Sequence, residues 1–494
     1  MPRPLLCLCL AACAAAAGAE RPIVSRPGLR RPILVAKADA PPASPIVGKA
    51  ELASSIINLV KAIVGAGVLS LPVGIAKFSG SRTAIVPACV IMLVVTTLSA
   101  YCFGLVARVL EATGTQSWGE AWAKVVGPRT ACIPSIFVAT LCACASLTYT
   151  MVIGDSFSAI FAGAGLPAAL ASRTGAILVM TALFTLPLSL LPNLEILQYT
   201  SFLGIGGILY TAAFMLARVG AYKPGSALHD AVPLALRPRF EAGGGVLSAC
   251  LDALRTPKIF VLCSIMATAM GGSFMAPQFY NELWDGQAGA ADGAHGARKK
   301  TRGAPARGAP ARSKLPRFAL MTSAGFVLSM MLSGVVMVAG FLTFGASGDG
   351  YILNNYATSD RLAQTARFAI GGSIVCTYPI LHQGLRDAAL EILRARGWQP
   401  SRVLTTLLLV GLVTFLGVVL TDLGIVAAVM GSLISTSLVY TLPGFMFATL
   451  LSKREKQAAD GLTLPERAEL LGAHAITVMG VVLAGIGIAA AFAE

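Results

Sequence analysis

The stretch KAIVGAGVLSLP, Lys61 to Pro72, is the most informative part of the sequence, because it combines features that disrupt an apolar helix. It begins with a lysine, places two glycines around Ala66 and ends with a proline, all within twelve residues. Glycine loosens a helix, and proline removes one of its hydrogen bonds. In hydrocarbon, such a break survives only where protein or a cavity satisfies the released backbone groups. The stretch therefore predicts a broken membrane helix that borders a cavity.

The composition around this stretch is that of a membrane protein. Of the 494 residues, 56% are hydrophobic and only 12% are charged, and the mean hydropathy is +0.75. Soluble proteins carry about twice that charged fraction. Eleven apolar runs, numbered here as segments one to eleven, are long enough to cross about 30 Å of hydrocarbon as helices. They cover residues 54–76, 83–107, 131–160, 174–191, 198–217, 258–281, 318–345, 366–385, 402–421, 423–451 and 472–492. We expect an all-α polytopic membrane protein with about eleven transmembrane helices.

A second break of the same kind lies five segments further along the chain. In segment six the run TAMGGSFMAPQFYNEL, residues 268–283, again places two glycines shortly before a proline. Glycine is also common in membrane helices because it allows close packing. Interrupted helices at matching positions are typical of secondary transporters built from inverted repeats, whose substrate site lies between them. The pattern predicts a five-plus-five repeat of segments one to ten, with segment eleven appended.

The basic residues predict the orientation. If segment one starts on the cytoplasmic side, the inner loops hold nineteen Lys and Arg residues, and the outer loops and segment edges hold eleven. This bias places the N-terminal end of segment one and the 284–316 loop on the cytoplasmic or equivalent side. The net charge of +15 is what such a topology produces, so it does not indicate nucleic-acid binding.

The first fifty residues read as a separate part of the chain. MPRPLLCLCLAACAAAAGAE has a basic start, a short apolar core and small residues at its end, as secretory signals do. The basic stretch that follows resembles a transit peptide, so residues 1–50 predict two-step targeting to a plastid; the alternative is a disordered tail. Residues 51–494 then form the transmembrane domain, with a disordered, basic cytoplasmic loop at 284–316. Without such targeting, we expect the plasma or vacuolar membrane.

Catalytic and metal-binding patterns are missing from the sequence. It contains no HExxH, no GxSxG and no phosphate-binding loop, and its four histidines form no cluster. The sequence thus predicts no enzyme, no metal site and no cofactor.

Seven fragments, in order, resemble the amino acid/auxin permease family, whose members include sodium-coupled, proton-coupled and vacuolar amino-acid transporters. The resemblance covers about residues 50–450 and implies a leucine-transporter-like fold and secondary transport of amino acids. The fragments are NLVKAIVGAGVLSLP at 58–72, SWGEAWAKVVGP at 117–128, TYTMVIGDSFSAI at 148–160, LPLSLLPNLEILQYTSFLGI at 186–205, SFMAPQFYNEL at 273–283, CTYPILHQGLRD at 376–387 and GSLISTSLVYTLPG at 431–444.

An amino-acid substrate would place a carboxylate and an ammonium group at the two breaks. N–H groups released at the first break would form the start of a half-helix, whose dipole favours the carboxylate. Backbone carbonyls of residues 61–64 and 269–270 would accept from the ammonium, and Tyr149, Ser273 and Phe274 would close the pocket. A packing role for Tyr149 remains the alternative. The predicted substrate-binding residues are Val64, Gly65, Ala66, Gly67, Tyr149, Ala269, Gly271 and Ser273.

Lys61 departs from the sodium-coupled branch of the family, which carries an oxygen-bearing asparagine at this place. Lysine has no acceptor atom and cannot be a sodium ligand, and the proton-coupled branch also carries lysine here. Its ammonium would face hydroxyls of Ser373 and Thr377, which lie four residues apart on one face of segment eight. The alternative is a lysine whose ammonium extends to the membrane interface.

Two further positions complete the sequence-based predictions. Asp155, near the outer end of segment three, has either a functional or a structural role. Trp118 and Trp122, four residues apart, are predicted to anchor a short amphipathic helix at the inner membrane interface.

The sequence therefore predicts amino-acid and proton symport by alternating access. An amino-acid sensor of the same fold and sodium-coupled transport are the alternatives. The expected partners are the substrate, protons and the lipid bilayer, and the sequence indicates no particular protein partner.

Overall fold

The computed structural model describes residues 51–191, 200–256, 258–283, 313–395, 397–421, 430–457 and 461–493. Nearly all regular structure in these ranges is helical. The predictions for residues 1–50, and for the 284–316 loop up to residue 312, lie outside the described residues.

The predicted segments coincide with helices of the described part of the chain. Eight helices are long and apolar enough to cross a membrane, and the bent pair of segment one adds a ninth. Segments five and eight are helical but are not among these nine. The apolar stretch of segment five, Gly204–Ala217, is too short, and polar residues lower the mean hydropathy of segment eight. Segments two to five are Ile85–Thr113, Cys132–Gly163, Arg173–Leu190 and Thr200–Ala217; segments seven to nine are Leu315–Phe344, Arg361–Ala395 and Arg402–Val419; segments ten and eleven are 430–457 and Leu464–Ala493. The prediction of a polytopic all-helical membrane protein is confirmed.

Two helices extend furthest beyond their predicted bounds, because their polar ends continue the helix past the apolar run. Segment eight spans 35 residues, Arg361–Ala395, where only 366–385 was expected. Segment eleven begins at Leu464, eight residues before the apolar run starts. Apolar runs locate the part of a helix that lies in hydrocarbon, whereas the polar ends can extend into water.

Segment eight packs along segment three, and segment five packs against segment eight. Segment seven contacts both parts of segment one. Segment one in turn contacts segments three and five, so segments one, three, five and eight come together around Lys61.

Charged side chains fix the connection between segments seven and eight, at the predicted outer end. Asp360, whose side chain is fully buried, accepts two hydrogen bonds from Arg218, at 2.8 and 2.9 Å. Tyr222 donates a third to the same carboxylate at 3.2 Å. A buried carboxylate requires such partners, because an unpaired charge is costly there.

Backbone groups of the same connection accept from a buried arginine. Arg367, which is 2% exposed, donates to the carbonyls of Leu353 and Tyr356, each at 2.7 Å. The hydroxyls of Ser156 and Tyr351 lie 2.7 Å apart and join the connection to segment three. These contacts join the connection to segments three and eight at the predicted outer end.

Asp155 belongs to the same end. Its Oδ1 accepts from Arg173 Nε at 2.7 Å, and Arg173 also donates to the carbonyl of Gly417 at 2.9 Å. The ion pair links segments three, four and nine and favours the structural alternative for Asp155.

Candidate functional site

Segment one is broken where the sequence predicted. The α-helix Leu52–Ile63 ends at Val64, and Gly65 follows in an extended conformation (φ −104°, ψ −161°). A 3-10 helix, Ala66–Ser70, leads into the α-helix Leu71–Phe78. The two parts of the segment are bent by 46°.

Segment six is also interrupted, although its parts together form one span, Ile259–Glu282, without a comparable bend. The α-helix Ile259–Ala269 ends in a turn in which the Gly271 N–H donates to Thr268 O at 3.1 Å. A 3-10 helix, Ser273–Met275, then leads into the short α-helix Ala276–Glu282. Both halves of the protein therefore carry an interrupted helix, as the repeat pattern predicts.

The prolines do not cause the breaks. Pro72 and Pro277 each lie in the first turn of the helix that follows a break. Proline fits there without loss because the N–H groups of a first turn have no helical partner. The prolines therefore favour the start of each second half-helix.

At the first break, one backbone N–H group already donates to a carbonyl within a turn. The Gly65 N–H donates to Ile63 O at 2.9 Å, so it is not released as the sequence predicted. The N–H groups of Ala66 and Gly67 begin the 3-10 helix and, like all first-turn N–H groups, have no partner within it. The N–H groups of Ala66 and Gly67 are therefore the candidate donors to an anion.

A cavity of about 500 Å³ lies against both breaks. Its volume suits a small-molecule site, for which roughly 300–1,000 Å³ is typical. Segments one, three, six and eight supply most of its wall. The predicted site residues on its surface are Lys61, Gly65, Gly67, Tyr149, Ala269, Gly271 and Thr377, together with Phe274.

Three other predicted residues do not line this cavity, and the side chain of Ala66 lies outside the described residues. Ser273 is fully buried and does not line the cavity, because the 3-10 turn puts Gly271, Phe274 and Met275 on its surface instead. Val64 and Ser373 line a separate, small cavity beside the large one. The expectation that Ser273 closes the pocket therefore does not match the structure.

Polar residues that the sequence analysis did not single out line one end of the large cavity. Ser54 and Asn58 belong to the first half of segment one, and Gln278 and Glu282 to the second half of segment six. All four are exposed, and Gln278 donates to Glu282 at 2.9 Å. The cavity therefore opens at this end, which is the predicted cytoplasmic end. The i, i+4 spacing of Ser54 and Asn58 ahead of Lys61 is a polar stripe visible in the sequence.

The small cavity, of about 20 Å³, brings Lys61 together with Ser373 and Thr377. Thr377 Oγ1 donates to Ser373 O at 2.8 Å, so the two residues share one face of segment eight as their spacing predicted. Lys61 is half-buried and lines both cavities. Tyr149 also borders both cavities.

Trp118 supports the interruption of segment six, and the sequence analysis placed it wrongly. It is 7% exposed, and its Nε1 donates to the carbonyl of Phe274 at 3.2 Å, within the interruption of segment six. Trp122 is 4% exposed and donates to Thr130 Oγ1 at 2.9 Å. The predicted interfacial anchors are buried in the protein, where Trp118 satisfies a carbonyl of the 3-10 turn.

Comparisons with known proteins agree with this geometry. The structure is similar to the crystal structure of MhsT in complex with L-phenylalanine, with a TM-score of 0.53 over 88% of this chain and 99% of that one, at 15% identity. This likeness shows the leucine-transporter-like fold. The model of the family described as transmembrane amino acid transporter protein matches residues 48–290 and 310–493.

Relatives with curated names span most of the chain. A putative sodium-coupled neutral amino acid transporter 11 of Danio rerio is 26% identical, covering 82% of this chain and 81% of the relative. Sodium-coupled neutral amino acid transporter 7 of Mus musculus is 24% identical, with coverages of 85% and 83%. Vacuolar amino acid transporter 7 of Saccharomyces cerevisiae is 23% identical over 69% of this chain and 59% of its own. This multi-pass membrane protein therefore belongs to the transmembrane amino acid transporter family.

Proposed function

We propose that the protein is a secondary active transporter that moves amino acids together with protons by alternating access. The observation that carries the proposal is the position of Lys61, which lines both the large cavity at the breaks and the small cavity at segment eight. A single cationic side chain thus connects the substrate site with the hydroxyls of Ser373 and Thr377.

The substrate's charged groups would bind to backbone atoms. Its carboxylate would accept from the N–H groups of Ala66 and Gly67, at the positive end of the half-helix. Its ammonium would donate to carbonyls at the ends of the two broken helices, near Val64 and Ala269. Because backbone groups recognise only what all amino acids share, the side-chain preference would come from the cavity wall, including Tyr149 and Phe274.

Lys61 would take the place of a bound cation. Its ammonium carries three donors and no acceptor, so it suits the hydroxyl oxygens of segment eight but repels a sodium ion. Two unit charges 4 Å apart repel by about 4 kcal/mol at an effective dielectric constant of 20. Loss of the proton would remove the charge that attracts Lys61 to the hydroxyl oxygens of segment eight. Proton occupancy would thereby bias the equilibrium between the two conformations.

The cavity's opening at one end and the ion pairs at the other correspond to one state of such a cycle. Exposed Asn58 and Gln278 mark the open end, whereas Asp360 and Arg218 lie at the closed end. Substrate would leave or enter at the open end in this state. Transport requires the alternative state, in which this end is closed.

Sodium-coupled transport is the second candidate, because relatives from Danio rerio and Mus musculus carry that name. Uptake into proteoliposomes that contain the purified protein separates the candidates. We expect uptake of a panel of radiolabelled amino acids to rise with an inward proton gradient. Replacement of sodium by a large organic cation should have no effect. Uptake that requires sodium and ignores pH would overturn proton coupling, and binding without any flux would indicate a sensor.

A further inference from the structure

Segment five passes close to Lys61 at Gly204. A Cβ atom built on Gly204 would lie 2.6 Å from Ser373 Oγ and 3.3 Å from Lys61 Cε. Interior packing leaves no room for a carbon and an oxygen at 2.6 Å, so an alanine here requires the hydroxyl to move. The missing side chain allows segments one, five and eight to meet.

The small cavity lies at this meeting point. Its wall includes Gly204, Lys61, Tyr149, Ser373 and Thr377, and its volume is about 20 Å³. A single water molecule needs roughly 10–15 Å³ and two to four polar partners. The ammonium and the three hydroxyls on this wall supply such partners, so the cavity suits one water beside Lys61.

Gly204 does not line the large cavity, whereas Lys61, Gly65, Tyr149 and Thr377 line both cavities. A side chain at 204 would therefore affect the surroundings of Lys61 without entering the substrate site. This separation makes Gly204 a position at which coupling can be changed while substrate binding is retained.

We propose that Gly204 is a positioning residue for ion coupling: it keeps space for one water molecule and for the Ser373 hydroxyl beside Lys61. The inference rests on the proposed role of Lys61 in proton coupling. A methyl group at this position displaces the Ser373 hydroxyl, presses on the lysine stem and takes the place of the water. The ammonium then loses the hydroxyl and water partners that stabilise its charged form relative to its neutral form.

The first test compares Gly204→Ala with Gly206→Ala in the full-length protein in proteoliposomes. Gly206 lies two residues away on an exposed part of the same helix, and a Cβ built there meets no atom within 4 Å. We expect Gly204→Ala to lower proton-driven uptake by about tenfold, within the usual range for coupled sites. Exchange of internal for external amino acid, without a gradient, should be retained. Equal behaviour of the two variants would overturn the inference.

A second-site variant tests the contact itself. Ser373→Ala removes the oxygen that a Cβ at position 204 would meet at 2.6 Å. We therefore expect Gly204→Ala to lower uptake less in the Ser373→Ala background than in the unmutated protein, because only the contact with the lysine stem and the loss of the water space remain. An undiminished loss from Gly204→Ala in the Ser373→Ala background contradicts the inference. The inference is also contradicted if Gly204→Ala loses both exchange and uptake and the addition of Ser373→Ala restores neither.

Lys61→Ala distinguishes failure of this inference from failure of the proposed function. If Lys61→Ala keeps the full response to the proton gradient, the coupling role of Lys61 is wrong and the inference about Gly204 is wrong with it. If Lys61→Ala loses that response while Gly204→Ala keeps it, only the inference about Gly204 is wrong.

Discussion

Gly65 and Gly67 occupy equivalent-looking positions in the sequence but differ in their surroundings. A Cβ on Gly65 would lie 3.1 Å from the Tyr149 hydroxyl, whereas one on Gly67 would lie 3.7 Å from Ala269 Cα, an ordinary contact. Neither glycine has a positive φ angle, so space, not backbone strain, distinguishes them. Gly65 is therefore the position where added volume enters the site.

We expect Gly65→Leu to abolish amino-acid uptake, because the side chain would fill the space next to Tyr149 and block access to the break. Gly206→Leu, on an exposed face of segment five, is the control for the effect of leucine on membrane insertion. Uptake by reconstituted protein and the amount of inserted protein are measured for both variants. Near-normal uptake by Gly65→Leu would exclude the break from the binding site.

Trp118 illustrates how a separate element supports a broken helix. The short helix Trp118–Val125 begins with a cap, in which the Ser117 hydroxyl accepts from the Glu120 N–H, and its Trp118 donates to Phe274 O. This bond is partly buried, and a fully buried carbonyl that loses its donor costs about 1–3 kcal/mol, which sets the upper limit here. The interruption of segment six thus depends on a helix far away in the sequence.

Trp118→Phe should lower the free energy of unfolding by at most about 1–3 kcal/mol and slow transport, since it removes the indole N–H while keeping an aromatic ring. Trp122→Phe is the matched control, because its partner Thr130 is exposed and water can replace the lost bond. Thermal unfolding in detergent and uptake rates provide the measurements. Equal losses in the two variants would show that ring packing, not the bond to Phe274, determines the effect.

The elements show what the sequence could and could not predict. The glycine pairs and apolar runs located both interrupted helices, because hydrocarbon imposes length and backbone pairing on each segment by itself. Ser273 was misplaced because the pitch of a 3-10 turn determines which of its residues face the cavity. Trp118 was placed wrongly and Gly204 was missed, because their roles depend on contacts with distant segments. For Ser373 and Thr377, the spacing within one helix was sufficient to predict that they share a face of segment eight.

At the scale of the whole molecule, the described residues beginning at residue 51 contain both breaks and both cavities. We propose that residues 1–50 serve targeting and not transport. A chain that starts near residue 46 should then retain full uptake after insertion into a heterologous membrane. A fluorescent reporter fused to residues 1–50 alone should enter an organelle. Cytosolic retention of the reporter would contradict targeting and favour the disordered tail.

The most direct test of the account is the movement of protons with substrate through Lys61. Purified protein is placed in vesicles that contain a pH-sensitive dye, and an amino acid is added outside at equal internal and external pH. We predict that the vesicle interior becomes more acidic as substrate enters, without sodium present. Lys61→Ala should still exchange labelled amino acid but produce no acidification. Substrate entry into vesicles of the unmutated protein with no change in internal pH, or acidification that persists in Lys61→Ala, would contradict the account.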